Sequence, residues 1–408
     1  MAPETMENTT HALEQRLSAR RVVLDAIRAG DGLARVDIAE RVGLSPASVT
    51  AITAEMLSAG LITTVESAGQ GECGDKPRRG RPRVALKVRG DACRVAGLKI
   101  ARESISAVVV DFEGRDTVSL VTQLDSPCLP PDDLSAAAAA VLDGVCAKGG
   151  FTRDELDGVG IGLAGLIDAR RGFVHWSPSL DRRNVAFSDN LRAEMRCPVF
   201  LDNDANLIAK AEQLFGLGRG VANFVVLTVE HGVGMGVVID HQIYRGVRGC
   251  GAEFGHTKVQ LEGALCQCGQ RGCLEAYVGD YALLREARIG QSDVQSLPDL
   301  WQAAQRGDAV AQAVFARAGR MFALGLANVV NIFDPQLVIL AGQRASFDHL
   351  DAQNAIAEMR SHVVQVDTAD TEVAVHQWGD LMWAKGAAAY AIDGVSVLRI
   401  QELGAHAE

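Results

Sequence analysis

At 408 residues the chain is long for one domain and comfortable for two or three. A hydrophobic fraction of 48% with 22% charged residues is ordinary for a soluble globular protein. No uninterrupted apolar run reaches the roughly 20 residues that span a bilayer, so no membrane partner is expected. The N-terminal stretch MAPETMENTTHALEQRLSARR lacks the basic-then-apolar order of a secretory signal, and a cytoplasmic location is expected. The net charge of −11 argues, taken alone, against nucleic-acid binding. Its distribution argues the other way: from Lys76 to Arg89, KPRRGRPRVALKVR holds seven basic residues and no acidic one. A basic patch on an acidic chain suits a small DNA-binding module carried by an acidic effector domain.

In chain order, residues 1–16 read as a flexible N-terminus, 17–90 as three helices and a hairpin, and 91–400 as a larger α/β body. The first helix spans Leu17 to Ala29, with Val22, Val23, Ala26 and Ile27 at helical spacing and Gly30 closing it. Arg35 to Val42 is a short second helix and Gly43 the turn. Ser45-Pro46 reads as an N-cap followed by proline at the first helical position. Val49, Ile52, Met56 and Leu57 make the apolar stripe of the third helix, leaving Ser48, Thr50, Ala51 and Glu55 on other faces. This is the helix-turn-helix pattern, whose second helix lies in the major groove. A three-helix bundle without a nucleic-acid role would share that spacing. The next segment favours DNA, because Leu61–Val65 and Arg83–Lys87 can pair around a basic loop. Candidate DNA contacts are Ser45, Ala47, Ser48, Thr50 and Ala51 on the helix, with Arg79, Arg81 and Arg83 on the wing.

From Arg94 the texture changes. Short β-rich runs (Val95–Ile100, Ser104–Phe112, Val118–Leu124) precede an alanine-rich helix at Leu134–Ala147 and a strand at Leu156–Leu163. Pro198–Leu201 leads into a helix from Asp204 to Phe215. A similar passage follows at Asn223–Val229, Gly234–Ile239 and Gln242–Tyr244, and Leu337–Leu340 is a later buried strand. Two successive strand-meander-plus-helix units suggest a duplicated α/β body with a cleft between its halves.

Two groups of residues carry chemistry. His256, Cys266, Cys268 and Cys273, in HTKVQLEGALCQCGQRGCLE, match a closed tetrahedral zinc site. Gly269 and Gly272 allow the tight turns of a knuckle. Four protein ligands leave no open position, so this Zn2+ is expected to be structural. The remaining six of nine cysteines are scattered and read mostly as small buried hydrophobes. The second group, Asn203, Asp204, Glu253, His256 and Glu275, places carboxylates and an amide at a glycine-rich cleft, which suits vicinal sugar hydroxyls. Singly, Asp204 reads equally well as a helix N-cap and Glu275 as a surface charge.

From about Arg94 onward the chain resembles the ROK family of repressors and sugar kinases. The resemblance rests on Gly160-Ile-Gly162-Leu-Ala-Gly165-Leu-Ile-Asp168, Leu201-Asp-Asn203-Asp204-Ala-Asn206, Gly249-Cys-Gly251-Ala-Glu253-Phe-Gly255-His256 and the cysteine run ending in Cys273-Leu-Glu275. It implies an actin-like, ribonuclease-H-like ATPase fold behind a winged helix-turn-helix. It also implies that Asn203, Asp204, Glu253, His256 and Glu275 hold a sugar, with Asp204 matching the kinases' base. Where the kinases carry Asp-x-Gly-x-Thr, this chain has Lys99-Ile-Ala101-Arg-Glu103, and the second phosphate loop has become Glu230-His231-Gly232. The nucleotide-side Gly-Gly has become Ala341-Gly342-Gln343. Losing both phosphate cradles should abolish phosphoryl transfer. The expected protein is a repressor, homodimeric or a dimer of dimers, that binds operator DNA and a sugar or sugar derivative. An active sugar kinase with a regulatory appendage and a zinc-stabilised scaffold without a small ligand are the rivals.

Overall fold

The absence of any glycine or proline between Pro3 and Gly30 lets the first helix run far longer than its apolar stripe suggests. In the computed structural model, which describes residues 3–30, 32–65, 84–290, 294–342, 352–364, 370–379 and 381–405, α1 spans Pro3–Ala29. The segment expected to be a flexible lead is therefore helical from Pro3. Next come β1 (Leu33–Ala34), α2 (Arg35–Val42), α3 (Pro46–Ser58), β2 (Ile62–Val65) and β3 (Ala85–Val88). Gly43 ends α2 in the left-handed region at φ 66°, where a side chain would be strained. Ser45 caps α3 by accepting the Ser48 N–H at 3.1 Å, with Pro46 in the first turn. The two expected strands pair antiparallel, Ile62 opposite Val88, and the two-residue β1 adds a third strand that the sequence reading does not contain. The wing loop with Arg79, Arg81 and Arg83 lies outside the described residues.

The body repeats one topology twice. In the first lobe, β4 (Arg94–Ile100), β5 (Ser104–Asp111) and β6 (Asp116–Gln123) form a meander, followed by α4 (Pro131–Gly149), β7 (Gly158–Leu163), the hairpin β8 (Leu166–Asp168) and β9 (Phe173–Trp176), α5 (Phe187–Met195) and β10 (Val199–Asn203). Its sheet order is β10-β7-β4-β5-β6, with β4, β7 and β10 parallel. After α6 (Asp204–Phe215), β11 (Phe224–Val229), β12 (Val233–Ile239) and β13 (Gln242–Ile243) form the second meander. Then come α7 (Glu275–Val278), α8 (Asp280–Ile289), α9 (Leu297–Gln305), α10 (Ala309–Phe333), β14 (Leu337–Gly342), α11 (Ala352–His362), β15 (Glu372–Gln377) and α12 (Met382–Ala405). The second sheet runs β13-β12-β11-β14-β15, the same order, with β11, β14 and β15 parallel. The duplication expected from the strand pattern is thus real. In α10 a 25-residue helix is apolar enough to cross a membrane by composition, yet Phe315, Phe322 and Leu326 bury one face of it in the second lobe's core.

Between the lobes lie α6 and α12. All of α6 except Asp204, Gln213 and Phe215 is buried, as befits a helix covered on every side. Fully buried Glu212 ties it to the second lobe, accepting from Trp378 Nε1 at 2.6 Å and lying 2.7 Å from His376 Nδ1. On the other side, α12 lies directly on β4 and β7 because Gly97 and Gly160 present no side chain. A Cβ on Gly97 would come within 2.1 Å of the Ala384 carbonyl, and one on Gly160 within 1.9 Å of the Ala387 carbonyl.

The winged helix is not held on a string. Val23, Leu24 and Ile27 of α1 and Ile38, Val49 and Met56 of α2 and α3 belong to one buried cluster with Val108, Phe112, Ala388 and Ile392 of the body. Because the obstruction at Gly160 is backbone, Gly160→Ala should destabilise the chain by about 3 kcal/mol, the upper end for overpacking, read as a lower urea midpoint; an unchanged midpoint would mean α12 is free to lift off the sheet.

Candidate effector pocket and metal site

Parallel strands of an α/β sheet bind ligands beyond their carboxyl ends. Here β4, β7 and β10 end together at Ile100, Leu163 and Asn203. Asn203 is the N-cap of α6, its Oδ1 accepting the Ala205 N–H at 2.9 Å, while its Nδ2 donates to the Gly165 carbonyl at 2.8 Å. Both ends of the amide are thereby engaged, which locks the strand-to-helix turn and aims Asp204 into the cleft.

Asp204 is not free. The Lys99 ammonium, from the penultimate residue of β4, donates to its Oδ2 at 2.5 Å and also sits 5.1 Å from the centre of the Trp383 ring on α12. Lys99 is 9% exposed, so water screens this pair little. From the sequence, Lys99 registered only as a missing phosphate-loop acid. Its spacing from Asp204, 105 residues away, carries no signal of this contact.

Asp202 and Arg245 were also missed. Asp202 is fully buried and accepts from Arg245 Nη2 at 2.6 Å and Asn206 Nδ2 at 3.0 Å. Because Arg245 follows β13, this pair joins the second lobe to the floor of the first.

Opposite Asp204, Glu253 stands at the open side of the cleft. Desolvation, followed by the negative charges of Asp204 and Glu275, raises its carboxyl to about 7. The structure thus gathers Asp204, Glu253 and Glu275 into mutual electrostatic range. Glu275 is buried and points Oε2 at the Val233 N–H, 3.3 Å away, with Oε1 3.4 Å from the Tyr281 hydroxyl. The turn Glu230-His231-Gly232 joins β11 to β12 at this same place. Glu103 sits exposed in the β4–β5 turn. Ala341 and Gly342 end β14, and Gln343 lies outside the described residues.

The knuckle is assembled by backbone before any metal is considered. Lys258 pairs with Cys273 and Leu265 with Arg271 in isolated bridges, and Gly269 and Gly272 take φ of 87° and 78°. One donor atom from each of His256, Cys266, Cys268 and Cys273 lies within 4.8 Å of the others. Cys266 Sγ is 3.7 Å from His256 Nδ1, and Cys268 Sγ is 3.7 Å from Cys273 Sγ. A tetrahedron with metal–sulfur bonds near 2.3 Å has edges of about 3.8 Å, so the donor set fits a metal of that geometry. The Lys258 ammonium, 3.0 Å from Cys273 Sγ, adds positive charge beside the cysteine sulfurs. Among the other cysteines, burial pushes Cys93, Cys146 and Cys197 up to about 11, which keeps them unreactive thiols. Cys128 is exposed.

On α3, Ser45, Ala47, Ser48, Thr50 and Ala51 are all exposed. The Ser45 and Ser48 hydroxyls pair at 2.8 Å, and Thr50 Oγ1 donates to the Pro46 carbonyl. Thr53, a polar residue on the buried face, accepts from Arg35 Nε at 2.9 Å.

These features define a sugar-kinase-like actin-fold body that carries a winged helix-turn-helix. The chain belongs to the ROK family, whose model matches residues 96–393, and a winged helix-turn-helix DNA-binding model matches residues 18–63. It is 27% identical over 379 residues to the xylose repressor of Caldicellulosiruptor bescii, covering 89% of this chain and 92% of the relative. With the DNA-binding transcriptional repressor Mlc of Escherichia coli it shares 31% over 320 residues, 76% of each chain. It is also 32% identical over 263 residues to the glucokinase of Streptomyces coelicolor, but over only 60% of this chain against 80% of that one. Among solved structures, a ROK family transcriptional regulator described as a homolog of the E. coli Mlc protein superposes with a TM-score of 0.77 at 24% identity, over 95% of this chain and 99% of the other.

Replacing one of four donors opens a closed site. Cys268→Ser should reduce bound zinc, counted per chain by elemental analysis, from about one to near zero, with a lowered melting temperature; retention of stoichiometric metal would remove Cys268 from the ligand set.

Proposed function

We propose that this chain is a sugar-responsive, DNA-binding transcriptional repressor that holds its effector in the kinase-like cleft without phosphorylating it. The observation that carries the second half of this reading is the Lys99–Asp204 ion pair. A general base must offer a free lone pair to the hydroxyl proton it removes. Here the oxygen at the family's base position is taken by an ammonium that stands where the kinases keep an acid. Glu103 and Glu230 add negative charge where backbone N–H groups would otherwise cradle phosphate. Asn203, Asp204, Glu253, His256 and Glu275 would hold sugar hydroxyls. Zinc on His256, Cys266, Cys268 and Cys273 would be structural. Bound there, it would hold Glu253 and Glu275 in place, since the first lies three residues before one ligand and the second two residues after another.

The DNA-facing half follows from α3. Ser45 and Ser48 satisfy each other, leaving Ala47, Ala51 and the Thr50 methyl as a small face that approaches base edges and thymine methyls closely. Arg79, Arg81 and Arg83 would reach the phosphates or the minor groove. Winged helices span paired half-sites, which favours a homodimer, and operator binding would call for a cytoplasmic location.

Two measurements test this. Operator sites selected from a random duplex pool should bind the wild-type chain, and Arg81→Ala with Arg83→Ala should flatten the log–log salt slope by about 2; an unchanged slope would take the wing out of the interface. Incubation with ATP, magnesium and a monosaccharide panel should give no phosphosugar. Turnover that disappears in Asp204→Asn would instead establish the kinase that the Streptomyces relative's name suggests.

A further inference from the structure

The effector pocket and the DNA reader are joined by a short chain of charges that neither site uses. Asp204 begins α6, and Lys210 follows six residues later, about 9 Å along the helix. Lys210 is 4% exposed, a buried cation on an otherwise mainly apolar helix. Its Nζ lies 3.4 Å from Oδ2 of Asp393 on α12 and donates to Gln213 Oε1 at 2.6 Å. Asp393 in turn accepts Arg21 Nη2 at 2.9 and 3.1 Å, and Arg21 belongs to α1 of the winged helix. Burial alone would raise the Asp393 carboxyl, but Lys210 and Arg21 together hold it below the usual carboxylate range.

Two further links close the circuit around α1. Arg28 donates to the Phe112 carbonyl at 2.5 Å and to Ser396 Oγ at 3.3 Å. Arg219, just past α6, donates to the carbonyls of Arg28 and Ala29 at 3.2 and 2.9 Å. Those are the C-terminal carbonyls of α1, which its own helix cannot satisfy.

A buried ion pair adds little net stability over apolar packing, but it discriminates sharply between arrangements, because separating its members leaves a charge uncompensated. We propose that Lys210, Asp393 and Arg21 are positioning residues that transmit effector occupancy to the winged helix: a displacement of α6 at Asp204 changes how Asp393 is shared between Lys210 and Arg21, and so where α1 sits. Asp204 supplies the ligand-facing end, since a sugar hydroxyl that donates to it alongside Lys99 pulls on the first residue of α6. This inference rests on the functional reading above and adds its route of regulation.

The test compares full-length wild type with Arg21→Gln, Asp393→Asn and the conservative Arg21→Lys. The sugar probe is whichever of D-xylose, D-glucose and N-acetylglucosamine gives the largest thermal shift. Arg21 is partly exposed, at 30% of its side chain, so Arg21→Gln keeps the experiment informative should Asp393→Asn fail to fold. Coupled sites ordinarily alter each other's affinity roughly 5–150-fold. In Arg21→Gln and Asp393→Asn the ratio of operator Kd with and without sugar should fall below about 2, with sugar affinity in the absence of DNA kept within about twofold of wild type, and Arg21→Lys should restore most of the ratio. A wild-type ratio preserved in both neutralising variants overturns this inference and leaves the repressor standing. A wild-type chain whose operator affinity none of the three sugars changes overturns the functional reading and this inference with it.

Discussion

The close seating of α12 on the first lobe's sheet is the contact from which the remaining architecture follows. Two glycines on adjacent parallel strands remove the side chains that would hold the helix at the ordinary sheet-to-helix distance. With α12 pressed down, one of its faces covers β4 and β7 while the other meets α6 and α1. The same helix therefore closes the body's core, backs the pocket through Trp383, and forms the bed on which the winged helix lies. Packing at interior density transmits small displacements instead of absorbing them, and an effector-responsive DNA reader requires that property.

The pocket differs in charge from the sugar-kinase pattern at the end of β4, where Lys99 meets Asp204. An acid at the end of β4 would face Asp204 with like charge, and metal or phosphate chemistry is one way to relieve such a pair. A lysine at the same place satisfies Asp204 internally. The pair leaves the carboxylate with lone pairs that can still accept a hydroxyl beside the ammonium.

Much of this was legible in the chain itself. The helix-turn-helix was written in the Gly43 turn and the Ser45-Pro46 cap, the knuckle in three cysteines and a histidine, and the duplicated meander in two passages of short β-rich runs. Local chemistry decides such features within a few residues. What stayed hidden was non-local. No spacing rule pairs Lys99 with Asp204 or Asp202 with Arg245, since the fold brings them together only after both lobes close. The edge strand β15, reading EVAVHQ with no residue fully buried, offers only the three apolar residues Val373 to Val375 to announce it. The helical stretch before Leu17 carries no apolar stripe like that of Val22, Val23, Ala26 and Ile27 to announce it. The basic wing is legible only as composition.

The common core of α1–α3 and the body also bears on how such proteins can be recombined. A reader domain excised after β3 would carry away Val23, Leu24 and Ile27 from their partners on α12 and expose that oily seam on both fragments. Exchanging DNA specificity between relatives therefore has to be done by resurfacing α3 in place, or by moving α1 together with the C-terminal helix that cradles it. The boundary visible along the chain is a seam in sequence but not in the folded interior.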